Sequence, residues 1–316
     1  MGKADEPGSR GNLVLPEGLK LEETLQHLSP EDRELVRASL TTQADFFATQ
    51  QYPKRISGIE PIDIETGDHK PVSSRYRQLS PDQQRVVNDY VAKLLDAGIV
   101  EPGQGPWSSP LQVVPKAGGK WRPVVDLRRV NKLVKRDSYP MPLVEETINR
   151  ISGATWISKI DLQSAFFSLP LAEWARDKTA FMTGLHGLLR FTALPMGLTT
   201  APQKFQRAVD QALGALQTTC CVSFFDDICV YSSGDLKDHL TKCESVMAAL
   251  RTYGFTANSE KCMFAQTEMD FLGHTVSRKG ISMQEKKVAV MLNYPRPTSQ
   301  KELLSFLALT SYYRKF

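Results

Sequence analysis

Two adjacent carboxylates, Asp226 and Asp227, lie in the middle of the segment CCVSFFDDICVYS. The residues on either side are mostly β-branched and aromatic, so this segment is predicted to form a tight hairpin with both aspartates at its tip. Neighbouring carboxylates in apolar surroundings repel one another and lose hydration unless a cation neutralises them. A hard divalent ion such as magnesium would neutralise them and keep a face open for phosphate groups.

A third aspartate, Asp161, ends the apolar segment TWISKID. It would join the pair if its strand lay beside the hairpin, which the sequence does not decide. Each feature also has a simpler interpretation, because aspartate is common in exposed turns and is unremarkable at a strand end. The residues alone therefore leave open a metal site or an ordinary solvent-facing turn.

Helices are predicted where a capping residue precedes apolar residues at helical spacing. Ser29 precedes Pro30 in the first segment, and Ser80 with Gln83 has the pattern of a capping box, as does Thr200 with Gln203. Ser299 with Glu302 begins the last segment. The predicted segments are SPEDRELVRASL, SPDQQRVVNDYVAKLLDAG, Val144–Ile151, TTAPQKFQRAVDQALG, DLKDHLTKCESVMAALRTYG and TSQKELLSFLALTSYYRKF.

A second hairpin is predicted from Leu111–Val114 and Trp121–Asp126, joined at Gly118-Gly119. Between Lys116 and Arg136 the sequence has eight basic residues and one acidic residue, Asp126. This concentration of positive charge indicates contact with a polyanion or, more simply, a well-hydrated face.

The composition is that of an ordinary globular protein, with 316 residues, 41% hydrophobic and 23% charged, and a formal net charge of +4. The mixture of predicted strands and helices indicates an α+β fold. The five cysteines show no zinc spacing, so we expect reduced, buried thiols in an intracellular protein. Neither a signal peptide nor an apolar run of about 18 residues is present, and we expect no membrane association.

Five segments, taken in order, resemble the reverse transcriptases of gypsy-type LTR retrotransposons, with retroviral enzymes as more distant relatives. The resemblance extends over about residues 60–316, and its specificity comes from the collinear order, since each segment alone is a weak signal. The segments are KWRPVVDLRRVN, KIDLQSAFFSLPL, LPMGLTTAPQKFQ, FFDDICVYS and FLGHTVSRKGI.

This resemblance implies a right-hand polymerase fold with fingers, a palm and a truncated thumb, as one piece of a Pol polyprotein without its RNase H, integrase and protease parts. The expected boundaries are a flexible leader at residues 1–28, an N-terminal helical extension at 29–59, fingers and the first part of the palm at 60–153, the palm with its carboxylates and primer grip at 154–284, and the start of the thumb or connection at 285–316.

The implied activity is RNA-directed DNA polymerisation by two-metal nucleotidyl transfer, with two Mg²⁺ ions, or Mn²⁺, as cofactor. Asp161 matches the first metal-binding aspartate of the palm, and Asp226 and Asp227 match the pair in the family's Tyr-x-Asp-Asp box. The backbone carbonyl of Leu162 matches a further metal ligand. Phe224 stands where the box has tyrosine, so we expect reduced or altered activity rather than none.

The resemblance also assigns nucleotide-binding positions, which imply deoxynucleoside triphosphates as substrates. Arg122 matches the fingers arginine that contacts the incoming triphosphate, and Lys116 matches a fingers lysine. Phe166 matches the aromatic gate that excludes the extra ribose hydroxyl, although its simpler interpretation is core packing. The segment lining the nucleotide and template site contributes Met196 and Gln203.

The remaining matches concern an RNA template and a DNA primer or product. The segment that matches the primer grip consists of Phe271, Leu272, Gly273 and His274. By itself His274 would more often be a structural histidine. The basic hairpin would neutralise template phosphates, a contribution that weakens with salt.

Two other functions remain open from the sequence. A catalytically silent remnant could bind nucleic acid only, and a two-metal nuclease could use the same carboxylates. Arg122, Phe166 and the FLGH segment argue against a nuclease, which would not need them. The expected location is the cytoplasm, a virus-like particle or the nucleus, and the sequence does not indicate an oligomeric state.

Overall fold

The computed structural model describes Leu15, residues 18–116 and residues 118–316. Single 3-10 turns occur at Ala44–Phe46, Ala165–Ser168 and Asp177–Thr179. The α-helices are α1 (Leu21–Thr24), α2 (Pro30–Thr42), α3 (Pro81–Asp96), α4 (Arg128–Asn131), α5 (Val144–Ile151), α6 (Glu173–Arg176), α7 (Ala201–Leu213), α8 (Leu216–Thr219), α9 (Leu236–Thr252), α10 (Glu285–Leu292) and α11 (Gln300–Tyr312).

The strands form three sheets. Their bounds are β1 (Val100–Pro102), β2 (Ser109–Lys116), β3 (Lys120–Val125), β4 (Trp156–Asp161), β5 (Phe181–Thr183), β6 (Gly187–Phe191), β7 (Cys221–Phe224), β8 (Asp227–Ser232), β9 (Met263–Gln266), β10 (Glu268–Phe271), β11 (His274–Ser277) and β12 (Gly280–Met283). The sheet orders are β1-β6-β5-β2-β3, β7-β8-β4-β9 and β10-β11-β12. This mixture of strands and helices confirms the predicted α+β class.

The four-stranded sheet positions the predicted site. Its central strand β4 pairs antiparallel with β8, and the register places Asp161 directly opposite Asp227. Side chains alternate across a strand, so Ile160 faces the core while Lys159 and Asp161 face the other way. Burial fixes this register because a slip of one residue would turn Ile160, which is fully buried, to the opposite face.

The sheet is covered on both faces. Helices α7 and α9 pack on one side, within a core that extends through most of the chain. On the other side, α5 and the three-stranded sheet enclose a second, smaller core built around Ile157, Cys229 and Phe271. The strand that ends in Asp161 is therefore held between two hydrophobic layers.

Both predicted hairpins form. Strands β2 and β3 pair through the Gly118-Gly119 turn, where both glycines have positive φ, a conformation that glycine adopts without steric penalty. Strands β7 and β8 pair around Phe225 and Asp226. The capping predictions at Ser29, Ser80 and Ser299 are confirmed by side-chain hydrogen bonds to the first turn of α2, α3 and α11.

The capping box expected at Thr200 and Gln203 does not form. Thr200 has helical dihedral angles of φ −97° and ψ −2°, and its hydroxyl makes no capping bond. A capping residue ordinarily has an extended backbone, which aims its side chain back at the exposed N–H groups. Helix α7 therefore begins without the predicted cap.

The predicted flexible leader at residues 1–28 differs from the structure over residues 18–28, while residues 1–14, 16 and 17 lie outside the described part of the chain. Leu21, Leu25 and Leu28 are buried in the main core, because their spacing places them on one side of the segment containing α1. The Thr24 carbonyl accepts a hydrogen bond from Gln266 of β9. These contacts attach the segment to the edge of the four-stranded sheet.

All five cysteines are buried and form no disulfide, as predicted. Within the described ranges, no helix combines the length and the hydropathy needed to cross a bilayer.

One buried histidine on α9 connects strands β4 and β8. The Nε2 of His239 lies 2.7 Å from Ser158 Oγ on β4, and its Nδ1 lies 3.0 Å from Ser232 Oγ on β8. Ser158 Oγ also accepts the backbone N–H of Ala265 on β9. Burial lowers the pKa of His239 to about 4. The neutral imidazole thus joins α9 to three of the four strands.

Acid should weaken this connection. The folded-state pKa of His239 lies below the ordinary value of 6.5, so its contribution to stability is complete above that value and is lost as the pH falls toward about 4. In a His239→Gln variant, we expect a lower Tm at neutral pH and a shallower decline in Tm on acidification. Calorimetry across this range tests the prediction, and parallel declines in the two proteins would contradict it.

Candidate active site

Three aspartates lie at one end of the four-stranded sheet. Asp161 is the last residue of β4 and is almost fully buried, and Asp227 is its cross-strand partner at the start of β8. Asp226 lies in the turn immediately before Asp227, beside Phe225, whose φ of 56° is left-handed. The sequence left open whether the strand that ends in Asp161 lies beside the hairpin, and the structure shows that it does.

Burial disfavours the ionised form of two of these groups. It raises the pKa of Asp161, an effect that Lys261 opposes and that the charges of Asp226 and Asp227 reinforce. Burial also raises the pKa of Asp226, with a further contribution from the neighbouring Asp227 charge. The site therefore holds more negative charge than its surroundings stabilise, which favours binding of a cation.

Two lysines, which sequence reasoning missed, already supply part of the compensating charge. Lys159 Nζ lies 2.7 Å from Asp227 Oδ1, and Lys261 Nζ lies 3.2 Å from Asp161 Oδ1. Lys159 could have been found, because it lies two residues before Asp161 on the same face of the strand. Lys261 is separated from Asp161 by 100 residues, so only the tertiary structure brings them together.

The donors fit a hard divalent ion. Carboxylate oxygens are the ligands that magnesium prefers, and magnesium usually keeps waters and binds substrate phosphates rather than filling a closed protein cage. Among the described residues, no three His, Cys, Asp or Glu side chains are arranged so that they could hold a metal ion by themselves, so waters and substrate phosphates would have to complete the coordination. Leu162, whose carbonyl was expected to assist, follows Asp161 directly, and its N–H donates to the Asp226 carbonyl at 3.1 Å.

The structure brings together two of the predicted nucleotide-binding residues. Arg122 on β3 places its guanidinium 3.1 Å from the sulfur of Met196, which lies in the loop before α7. Both side chains are exposed, so this contact lies at the surface between the hairpin and the loop. Lys116 lies farther out, opposite Lys120 at the hairpin end.

The other two nucleotide candidates lie closer to the core. Phe166 follows β4 in a 3-10 turn, is partly buried, and has its ring centroid 5.0 Å from that of Phe205 on α7. Gln203 lies in the first turn of α7, and within the described part of the chain its buried Oε1 has no hydrogen-bond partner. Phe166 is thus fixed on one side and accessible on the other.

The FLGH segment forms the turn between β10 and β11. Leu272 and Gly273 both have positive φ, and their carbonyls accept hydrogen bonds from the hydroxyls of Tyr312 and Tyr313 at 2.8 and 2.9 Å. The His274 ring packs against both tyrosines at centroid distances of 5.4 and 5.2 Å. These two tyrosines were not singled out by sequence reasoning, since they lie 40 residues from their partners.

The sheet, its terminal carboxylates and the basic hairpin define a polymerase-type fold that solved structures share. A foamy viral protease-reverse transcriptase in complex with double-stranded DNA matches with a TM-score of 0.85 and 23% identity, over 98% of this chain and 55% of that chain. A second structure of the viral protein, in complex with an RNA/DNA hybrid, matches with a TM-score of 0.83 and 23% identity, over 98% of this chain and 42% of that one. The predicted right-hand polymerase fold is confirmed.

The family model described as reverse transcriptase (RNA-dependent DNA polymerase) matches residues 114–276, and this chain belongs to that family. The retrovirus-related Pol polyprotein from transposon 412 of Drosophila melanogaster is 32% identical over 98% of this chain and 26% of its own length. The transposon Tf2-3 polyprotein of Schizosaccharomyces pombe is 31% identical over 85% of this chain and 20% of its length.

These relatives confirm the resemblance to retrotransposon reverse transcriptases that the five segments indicated. The chain spans about a quarter of the length of the curated relatives it matches. Membership of this family implies dependence on a divalent metal, in agreement with the oxygen donors at the end of β4 and the start of β8.

Replacement of Asp226 by asparagine should stabilise the fold at neutral pH and remove its stabilisation by Mg²⁺. The folded-state pKa of Asp226 lies above the ordinary 3.8, so its ionised form destabilises the fold at neutral pH, and this penalty disappears as the pH falls. We expect Asp226→Asn to raise Tm at neutral pH by a few degrees, because about 1 kcal/mol shifts the Tm of a domain of ~150–250 residues by roughly 2–4 °C.

Calorimetry with and without Mg²⁺ measures both effects. Mg²⁺ should raise the Tm of the native chain but not of the Asp226→Asn variant, since only a ligand that binds the folded state stabilises it. Asp238→Asn, at an exposed position on α9, is the matched control and should leave the Mg²⁺ effect unchanged. A lower Tm for Asp226→Asn at neutral pH would contradict the prediction.

Proposed function

We propose that this chain catalyses RNA-directed DNA synthesis, adding deoxynucleotides to a DNA primer on an RNA or DNA template. The observation that carries the proposal is the pairing of Asp161 with Asp227 beside Asp226, within a chain of the reverse transcriptase family. Membership of this family also argues against the nuclease alternative, which shares only the carboxylates.

Asp161 and Asp226 are the residues we propose as principal metal ligands, with Asp227 and the Leu162 carbonyl completing the set. Two bound Mg²⁺ ions, or Mn²⁺, would activate the primer hydroxyl and stabilise the leaving pyrophosphate. The protein's own part is positioning: the β4–β8 register fixes the carboxylates, and Lys159 holds Asp227 by an ion pair.

Arg122 and Lys116 are proposed to bind the triphosphate of the incoming nucleotide. Arginine suits this role because its planar guanidinium donates two parallel hydrogen bonds to phosphate oxygens. The weak contact with the Met196 sulfur would be exchanged for stronger, charge-assisted bonds when the nucleotide binds. Gln203, whose amide oxygen has no hydrogen-bond partner among the described residues, is proposed to line the same nucleotide site.

Nucleic acid is proposed to lie across the basic hairpin and the FLGH turn. The structurally similar viral proteins solved with double-stranded DNA and with an RNA/DNA hybrid support nucleic acid as the partner, and the positive charge of the hairpin supports its placement there. The hydroxyls of Tyr312 and Tyr313 donate to the carbonyls of Leu272 and Gly273, and these bonds hold the FLGH turn with Leu272 at a positive φ. We assign residues 60–153 to fingers and first palm segment and 154–284 to the remaining palm.

Primer extension on poly(rA)/oligo(dT) with Mg²⁺ or Mn²⁺ tests the activity. We expect extension by the native chain and a loss of at least about 10²-fold in Asp226→Asn and Asp227→Asn, since each removes charge stabilisation at the reacting phosphate. The exposed substitution Asp238→Asn should retain full activity.

Unchanged extension in Asp226→Asn would exclude the assigned site. Absence of extension by the native chain, together with salt-sensitive RNA binding, would instead show a protein that binds nucleic acid without catalysis.

The sugar preference should depend on Phe166. Its ring is held against Phe205 and cannot easily retreat from a ribose 2′-hydroxyl. We expect Phe166→Val to raise incorporation of ribonucleotides relative to deoxynucleotides by about tenfold or more, whereas Phe166→Tyr keeps the ring and the discrimination. The ratio of kcat/KM for a ribonucleotide to that for the matching deoxynucleotide measures this preference. Equal ratios in the two variants would contradict the proposed role of Phe166 as a gate.

A further inference from the structure

A fully buried glutamine on α7 contacts the turn that carries Asp226. The Oε1 of Gln206 accepts the backbone N–H of Phe225 at 2.9 Å. Its Nε2 donates to Asp210 Oδ1 and to Ser223 Oγ, both at 2.8 Å. A backbone N–H can only donate, so the oxygen of this amide must face Phe225. The contacts therefore determine the orientation of the side chain.

The turn needs such a contact because its backbone is strained. Phe225 has a φ of 56°, in the left-handed region that a bulky residue rarely adopts. Such a conformation persists only where its surroundings hold it. Here the Gln206 amide holds residue 225, while the Leu162 N–H donates to the carbonyl of residue 226. Asp226 is thus fixed from two sides.

The other end of the amide is anchored independently. Asp210 accepts hydrogen bonds from Tyr139 Oη and from Gln217 Nε2, both at 2.6 Å, in addition to the one from Gln206. A carboxylate only accepts, so Asp210 requires the amide nitrogen of Gln206 on its side. The bonds to Phe225, Ser223 and Asp210 therefore set the position of the Gln206 side chain.

We propose that Gln206 is a positioning residue for the metal site, which places the Asp226 carboxylate by holding Phe225 in its left-handed conformation. This inference rests on the proposed function and deepens it, since Gln206 itself touches neither metal nor substrate. Partners that orient metal ligands typically change metal affinity or activity by about 10–100-fold when removed.

The test compares Gln206→Met, Gln206→Glu and the matched control Gln211→Met, at an exposed position of the same helix. Mn²⁺ affinity is measured by electron paramagnetic resonance, and the Asp226-dependent part is defined with Asp226→Asn. Primer extension then gives kcat and the KM for the deoxynucleotide. Calorimetry reports whether each variant is folded.

We expect Gln206→Met to weaken Asp226-dependent Mn²⁺ binding and to lower kcat by about tenfold or more, with a smaller change in KM and no effect of Gln211→Met. In Gln206→Glu, the introduced carboxyl can still accept from Phe225 and, when protonated, can donate to Asp210. The Mn²⁺ affinity of this variant should therefore approach the native value at low pH. It should fall as the pH rises, because the deprotonated carboxylate is repelled by Asp210.

A folded Gln206→Met variant with native Mn²⁺ affinity and kcat would overturn the inference. If that variant does not fold, Gln206→Glu decides, and a native pH profile of Mn²⁺ binding would overturn it. A native chain that binds Mn²⁺ without extending primers would refute the proposed function alone, because the affinities still test Gln206. Absence of Asp226-dependent Mn²⁺ binding in the native chain would overturn both.

Discussion

The structure depends on confining three negative charges at the end of two paired strands. Burial and mutual repulsion oppose the ionised forms of Asp161 and Asp226, so compensating charge is needed to offset this penalty. Lys159 and Lys261 supply part of it through ion pairs. The remaining deficit makes the site receptive to a divalent ion, so the same electrostatic imbalance that weakens the fold creates its capacity for chemistry.

Patterns confined to neighbouring residues could be predicted from the sequence. The two hairpins and the caps at Ser29, Ser80 and Ser299 follow from local propensity and alternation, whereas the pairing of Asp161 with Asp227 does not. The cap expected at Thr200 was wrong because the backbone there is already helical. The docking of residues 18–28 was missed because three leucines in a polar segment gave too weak a signal.

The parts that sequence reasoning could not reach are contacts between distant segments. Lys261, Gln206 and Tyr312 make their contacts only when separate elements pack together. Gln206 is the last residue of the segment LPMGLTTAPQKFQ, but its place in that segment does not indicate what it contacts. All three side chains are polar. Each makes a hydrogen bond or an ion pair with a buried or strained group on the sheet or its turns. Hydrophobic periodicity can locate the elements, whereas the hydrogen bonds that adjust them depend on the finished fold.

The order of strands in the four-stranded sheet also determines when the site can exist. Strand β4 lies between β8 and β9, both of which come much later in the chain, and Lys261 is 100 residues beyond its partner Asp161. Contacts of such long sequence separation form slowly, since loop closure precedes any gain from pairing. During synthesis, Asp161 would leave the ribosome well before Asp227 or Lys261. The emerging chain therefore passes through a stage in which β4 is made but its edges are unpaired, when chaperone binding or aggregation would compete with folding.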